Sequence, residues 1–376
     1  MNIICSTTTQ LPSETANSIQ AVMACEGLRR CGEDVRLYVP GSGEIAFEQV
    51  KEHYDMHCEP FPVRYVRSVP HLHRMDFTLS VLSAGKGIPA PLHYTWTIQL
   101  AAAAAIRGLE TAYEIHDLPT GGGIRWFELY TRTKAPKKVI CITKALRDRL
   151  LAQFPHLKEE NCLIMPNGFS PEDYAELPDL AGAKQAMGFS PERPAVSCSG
   201  HLYEGRGAEL FLQLAARFPE ADFHWFGGTP DAVEHWREEA LRAGLANSYF
   251  HGFISREHLP MAEAACDVLL MPYAKHIAGS GGGNSAEICS PMKMFEYMAE
   301  ERCILTAALP VIREVLDESC AVFCEPEDAD AWEAGLRSVL EDAGLREKLA
   351  EEAKRRSENY TWQKRAGIFL NGRKHA

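Results

Sequence analysis

Ser290-Pro291-Met292-Lys293-Met294-Phe295-Glu296-Tyr297-Met298-Ala299 is the stretch on which the reading of this chain turns. A Ser-Pro pair ahead of a helix-forming run predicts Ser290 at the N-cap and Pro291 at the first helical position. There the missing proline N–H costs nothing, because that donor has no partner anyway. The helix then opens with free backbone donors and the positive end of its dipole. Just before it, Gly279-Ser280-Gly281-Gly282-Gly283-Asn284 offers little side-chain bulk to stop a ligand approaching the backbone. Loop and helix start together make a seat for an anion such as a diphosphate. Glu296, about one turn further on, is placed to accept hydrogen bonds from a sugar or ribose hydroxyl. An ordinary capped helix after a flexible loop accounts for the same residues, so the rest of the chain has to decide.

Outward from this stretch the pattern alternates short apolar runs with longer amphipathic ones, the mark of βαβ units on a parallel sheet. Strands are expected at 1–5, 35–39, 111–115, 138–142 and 162–165, with helices at 17–30 and 97–107. After Pro166-Asn167-Gly168 the texture changes, and 169–194 is polar and proline-containing with no long periodic element. A second series follows, with strands at 195–199, 222–226, 249–251, 268–271, 303–306 and 321–323. Its helices fall at 208–217, 231–243 and 256–265, and two more lie within 329–358. The expectation is an α/β protein of two doubly wound, Rossmann-like domains facing across a cleft. The first spans 1–170, a linker 171–194 and the second 195–359, with ligands at the carboxyl ends of the strands.

The 376 residues suit two domains of ordinary size, and 46% hydrophobic with 24% charged residues is ordinary for a globular chain. No apolar run approaches the ~20 residues that span a bilayer. The start, Met1-Asn2-Ile3-Ile4-Cys5, has no basic region before its apolar run and reads as a strand rather than a secretory signal. Twelve scattered cysteines without zinc spacing read as reduced, mostly buried thiols, which points to the cytoplasm. A net charge of −12 argues against a nucleic-acid partner. Two local clusters stand out: Arg64, Arg67, His71, His73 and Arg74, and then Arg132, Lys134, Lys137 and Lys138. Either suits an anionic acceptor or a peripheral contact at the inner face of a membrane, and either is also explained as solvated surface charge.

Three further constellations carry chemistry. Ser199-Gly200-His201-Leu202-Tyr203-Glu204-Gly205-Arg206-Gly207 follows the first strand of the second domain, where a phosphate sits in doubly wound folds, and Arg206 offers charge-assisted hydrogen bonds. A tight turn with a surface arginine is the plainer account. Glu114-Ile115-His116-Asp117 ends a strand, so His116 is a candidate to hydrogen-bond a substrate hydroxyl or share its proton, with Asp117 as a second acceptor. A satisfied buried histidine is the alternative. In the first loop Thr15, Asn17 and Ser18 are candidate acceptor contacts, although Asn17 with Gln20 reads better as an N-cap with its reciprocal partner. Asp328-Ala329-Asp330 superficially matches an Asp-x-Asp metal site, but its place before a helical run reads as a cap, so no metal and no other cofactor is expected.

At this point the residues resemble a known family. Ser290-Pro291-x-Lys293-x-Phe295-Glu296-Tyr297-Met298-Ala299, with Leu309-Pro310-x-Ile312-Arg313-Glu314-Val315-Leu316, is similar to the donor-site signature of the retaining family-four glycosyltransferases, which have the GT-B architecture. Ser199-Gly200-x-Leu202 with Arg206-Gly207, Met165-Pro166-Asn167-Gly168 and Tyr360-Thr361-Trp362 resemble the family's other landmarks. The resemblance implies metal-independent transfer of a sugar from a nucleotide-sugar to a hydroxyl acceptor, a glycan, a small molecule or a lipid-linked sugar, with retention of configuration. A UDP-sugar is the first expectation and GDP-mannose the second. It implies that Glu296 binds the ribose, that the backbone at Pro291 and Met292 holds the diphosphate with Arg206, and that His116 lies beside the transferred sugar. Gly200, His201, Gly282, Gly283, Asn284, Ser290 and Lys293 complete the implied donor site, and the helix after Trp362, about 360–376, packs back on the first domain.

Three positions depart from the family pattern. Ile288 stands where a first glutamate is frequent, and Glu287 beside it, a candidate donor contact, points differently in a regular element; His201 stands where an arginine is frequent; and the first loop lacks a glycine pair. A nucleotide-sugar epimerase or hydrolase on the same fold, or a non-catalytic nucleotide-sugar-binding subunit, are the rival readings.

Overall fold

A computed structural model of the protein describes residues 1–69, 72, 74–277 and 284–373. The chain forms two compact units, Met1–Gly168 joined by the segment from Thr361 onward, and Phe169–Tyr360.

Among the described residues the first unit runs β1 (Asn2–Ser6), α1 (Ala16–Arg30), β2 (Asp34–Pro40), α2 (Phe47–Tyr54), β3 (Val63–Val66), α3 (Met75–Ala84), β4 (Leu92–Thr95), α4 (Ile98–Ile106), β5 (Thr111–Ile115), α5 (Gly122–Arg132), β6 (Lys137–Cys141), α6 (Lys144–Gln153) and β7 (Cys162–Ile164). The strands form one parallel sheet in the order β3-β2-β1-β4-β5-β6-β7. The order reverses between β1 and β4, the kind of switch point beside which ligands bind. β4, β5 and β6 are buried along their whole length, as a sheet covered on both faces requires. Helices cover it closely because their inner faces are small: Ala101 to Ala105 of α4 are all buried. The C-terminal helix Trp362–Arg373 returns to this unit and packs on α1. Gly27 admits it, since a Cβ there would lie 2.3 Å from the Trp362 carbonyl oxygen.

The second unit runs α7 (Leu180–Met187), β8 (Ala195–Ser199), α8 (Ala208–Arg217), β9 (Asp222–Phe226), α9 (Pro230–Arg242), β10 (Ser248–Gly252), α10 (Leu259–Ala264), β11 (Val268–Met271), α11 (Met292–Ala299), β12 (Cys303–Ala307), β13 (Val322–Cys324), α12 (Ala329–Glu341) and α13 (Ala343–Ser357). Its sheet is also parallel, in the order β10-β9-β8-β11-β12-β13. Asp328 caps α12, its carboxylate accepting from the Asp330 and Ala331 amides, so the Asp-x-Asp sequence is a helix start.

Two expectations change here. The stretch 171–194 is no linker: α7 forms within it, capped by Asp179, and Ala183 packs against Ala264 and Ala265 while Lys184 pairs with Asp267 at 2.8 Å. A helix of eight residues with a small apolar face is too short to show a period between flanking prolines. The helix start at the quoted stretch also moves. Pro291 itself is the cap, with φ −64° and ψ 126°, and the helix begins at Met292. The proline ring fixes φ at a helical value, but its extended ψ leaves it outside the helix.

Candidate active site

The second unit builds a cationic seat at the carboxyl ends of its strands. After β8 the chain turns at Gly200, φ +121°, whose amide donates to the Phe226 carbonyl at 2.7 Å, and Trp225 Nε1 donates to the Gly200 carbonyl at 2.9 Å. Two residues then fasten the loop that carries Arg206. A Cβ on Gly205 would lie 2.3 Å from the His276 carbonyl oxygen, and one on Gly207 would lie 2.0 Å from that of Pro272. Only glycine permits this approach, and the Ala274 amide seals it by donating to Gly205 O at 3.0 Å. Arg206 is thereby held with its guanidinium carbon 5.3 Å from the Tyr273 ring centroid, while Lys293 Nζ lies 5.2 Å from the same centroid. One ring thus gathers two cations. Neither has a carboxylate within 4.0 Å among the described residues, and Arg206 Nε is buried without a hydrogen-bond partner. Lys293 Nζ sits 3.4 Å from where a Gly200 Cβ would be, so Gly200 keeps the lysine's approach clear.

α11 opens beside these cations. Its cap residue, Pro291, carries no side-chain acceptor, so no cap consumes the first-turn amides at Met292 and Lys293. One turn in, Glu296 Oε1 lies 3.6 Å from Arg256 Nη1, and Arg256 Nη2 donates to Asp173 Oδ2 at 3.2 Å. Burial raises the Glu296 carboxyl above its ordinary value against the pull of Arg256. Behind it, burial and the neighbouring Glu296 push Glu263 up to about 8, and burial with Glu263 raises Glu300. The Arg256–Asp173 support and these buried acids were not anticipated. The signal was thin: Glu296 and Glu300 recur at helical spacing on a mostly apolar face.

Other expected donor contacts fare differently. Asn284 clips its own loop: Oδ1 accepts from the Ile277 and Ala286 amides at 3.0 and 3.1 Å, and Nδ2 donates to Lys275 O at 2.8 Å. Its amide thus holds the backbone of its own loop. Glu287 ends the 3-10 turn Ser285–Glu287 and is exposed, 3.4 Å from Asn284 Nδ2, while Ile288 beside it is buried. His201 is exposed and stacks on Tyr203 with centroids 4.9 Å apart. Ser290 is buried ahead of Pro291. Gly282 and Gly283, with the rest of 278–283, lie outside the described residues.

In the first unit His116 follows β5, and its Nε2 lies 2.9 Å from Oε1 of Glu114. That carboxylate is wholly buried and also takes hydrogen bonds from Gln20, from Tyr94 and from Arg365, the last at 2.6 Å. Burial opposes its ionisation, but Arg365, His116 and Tyr94 outweigh this and hold it down to about 2. Gln20 therefore serves Glu114 rather than capping with Asn17. Thr15 is the cap of α1, accepting from the Ser18 amide, and Asn17 is simply exposed in the first turn. Ser18 Oγ is buried and donates to Ser13 O at 2.6 Å and Thr15 O at 2.8 Å, so it holds the loop. Asp117 accepts from the Leu118 amide at 2.8 Å, which commits one carboxylate oxygen to the turn.

The second basic cluster is divided, with Arg132 and Lys134 exposed. Lys137 and Lys138 are buried, with Nζ atoms donating to Thr133, Ala135 and Glu160 carbonyls. Arg64, Arg67 and Arg74 are exposed, while His71 and His73 lie outside the described residues.

Residues 205–371 match the family model described as glycosyl transferase-like. Over that stretch the chain is similar to glycosyl transferases. Among curated relatives, this chain is 24% identical to alpha-galactosylglucosyldiacylglycerol synthase of Streptococcus pneumoniae over 65% of its own length. It is 27% identical to 2-deoxystreptamine N-acetyl-D-glucosaminyltransferase of Streptomyces fradiae over 43%. The matches span 62% and 39% of those relatives' lengths. Its fold is that of GT-B glycosyltransferases: Anabaena HepE in complex with UDP superposes with a TM-score of 0.76 at 17% identity over 99% of each chain. Sucrose-phosphate synthase of Thermosynechococcus elongatus gives 0.75 at 14%, covering 99% of this chain and 98% of that one.

Proposed function

We propose that the protein transfers a sugar from a nucleotide-sugar to a hydroxyl acceptor, retaining the configuration of the sugar and using no metal. The observation that carries this reading is the pair of cations, Arg206 and Lys293, over Tyr273 with no carboxylate within 4.0 Å of either among the described residues. A half-buried cation without a matching negative charge costs free energy that an anionic ligand offsets. When the bond from the anomeric carbon to the diphosphate breaks, the electron pair leaves with the phosphate oxygen; the acceptor oxygen bonds to that carbon and its hydroxyl proton passes to the departing phosphate oxygen. Fixed donors aimed at that growing charge lower the barrier. The amides opening α11 contribute up to ~2 kcal/mol in partly buried geometry, and Arg206 a similar ~1.5–3 kcal/mol. Glu296, steadied by Arg256, is assigned to the ribose hydroxyls, and His116 to a substrate hydroxyl in the first unit.

A UDP-sugar is favoured over GDP-mannose because the HepE neighbours are complexes with UDP and UDP-glucose. For the acceptor, exposed Arg64, Arg67 and Arg74 beside Leu72 and Leu79, each 52% exposed, support a peripheral contact with an anionic lipid surface. No helix among the described residues is long and apolar enough to cross a membrane.

The test is a thermal-shift panel of nucleotide-sugars followed by product analysis. A UDP-sugar is expected to raise the melting temperature and give a product of unchanged anomeric configuration, undiminished by EDTA. Loss of activity with EDTA and its return with manganese contradicts the mechanism. Donor conversion without acceptor favours an epimerase or hydrolase, and tight donor binding without turnover favours a binding subunit.

A further inference from the structure

The first unit holds a polar cluster that the chemistry above uses only at its edge. Glu114 sits on β5, an inner strand of the sheet, with its side chain wholly inaccessible. Its Oε1 receives Gln20 from α1, His116 from the end of its own strand, and Arg365 from the C-terminal helix, 251 positions along the chain. Tyr94 of β4 donates to Oε2. The Arg365 guanidinium is anchored in turn, Nε donating to Pro166 O at 2.8 Å and Nη2 to Met165 O at 3.2 Å. A carboxylate with a buried guanidinium at 2.6 Å and a phenol on its other oxygen stays ionised.

An ionised carboxylate only accepts hydrogen bonds. The ring nitrogen of His116 at 2.9 Å must therefore carry the hydrogen. We infer that Glu114 and Arg365 are positioning residues that fix His116 in the Nε2–H tautomer, which leaves Nδ1 as the atom that accepts the hydrogen of a substrate hydroxyl. The His116 side chain is 24% exposed, so the ring is held at its inner edge and free to meet a ligand at the other. Which nitrogen works on the substrate is thus decided by the partner of the opposite nitrogen. This inference rests on the reading of His116 as a substrate-contacting residue, and it adds that the last helix of the chain controls it.

The experiment uses the full chain with ¹⁵N-labelled histidine and long-range ¹H–¹⁵N correlation of the His116 ring at a pH where the ring is neutral. The wild type is expected to show the Nε2–H tautomer. Glu114→Gln offers the ring both a donor and an acceptor, so the selection is expected to be lost. In the transfer assay Glu114→Gln is expected to lower kcat on the order of tenfold to a hundredfold, the scale of a small misplacement, with donor KM within about threefold. Arg365→Lys is expected to recover much of what Arg365→Met loses. Because Glu114→Gln strands a buried guanidinium, the double variant Glu114→Gln/Arg365→Gln supplies a neutral pair and is expected to show the same tautomer loss at a measured, retained melting transition. An Nδ1–H tautomer in the wild type, or an unchanged tautomer in both variants, overturns the inference. His116→Ala with undiminished transfer overturns instead the role of His116, and the NMR result separates the two failures.

Discussion

Two buried carboxylate clusters, one in each unit, stand in opposite electrostatic states. Glu114 is surrounded by donors from α1, β4, its own strand's end and the C-terminal helix, and its carboxyl is held down to about 2. Glu263, Glu296 and Glu300 face one another, and burial raises all three. Glu296 lies 3.6 Å from Arg256, while neither Arg206 nor Lys293 over Tyr273 has a carboxylate within 4.0 Å among the described residues. A cluster whose donors and acceptors match is complete without a ligand and serves to fix geometry. A region whose charges are left unmatched gains most when a ligand brings the missing charge. On the proposed reading, this contrast assigns positioning to the first unit and binding to the second.

The largest expected effect comes from breaking the matched cluster. Arg365→Met leaves Glu114 buried and uncompensated, and denaturant unfolding is expected to show a loss of about 3–5 kcal/mol. A loss under 1 kcal/mol would mean that Glu114 finds solvent or another cation and that the cluster is not closed. In the second unit the opposite is expected. Arg206→Ala and Lys293→Met are each expected to cut transfer by roughly tenfold to a hundredfold, the worth of one charge-assisted hydrogen bond, with unfolding midpoints unchanged or raised. A midpoint that drops with Arg206→Ala would show a structural cation rather than a waiting one.

Acid titration sharpens the contrast through its sign. A carboxyl lowered in the folded state stabilises above its unfolded value, and that contribution is lost as pH falls, so Glu114 weakens the fold below about 4.5 and down to about 2. A carboxyl raised in the folded state does the reverse: the stability tied to Glu263 is full below about 4.5 and lost as pH rises towards about 8. Glu263→Gln is therefore expected to be the more stable protein at pH 8 by on the order of 2 kcal/mol, with no advantage at pH 4. Melting curves across that range check it, and an equal difference at both ends removes the raised carboxyl from the comparison. The smallest expected effect lies in the first loop. Thr15→Ala removes the cap of α1 and costs about 1 kcal/mol, while Asn17→Ala changes the melting temperature negligibly.

Much of this was legible before any coordinates. The strands at 111–115, 195–199, 222–226 and 268–271 appear where the apolar runs place them, because both faces of a parallel sheet are buried and the runs are uninterrupted. β3 and β4 were not legible: each has four residues, and β4 reads Leu-His-Tyr-Thr, with polar residues that only a buried network makes sense of. Arg206, Lys293 and Glu296 were named from glycines, a proline and helical spacing, which are local signals. Tyr273, Arg256, Asp173 and Arg365 carry no such signal, since each acts through a neighbour remote in sequence.

What the amino-acid order determined alone is therefore the alternation of strands and helices, the approximate start of α11 and the residue types beside it, all properties of periods and turns within a few residues. Which atoms meet was left to the tertiary structure. A glutamate on a strand becomes an ionised anchor only when a guanidinium 251 residues away is folded onto it, because Coulomb energy and desolvation depend on distance in space rather than along the chain.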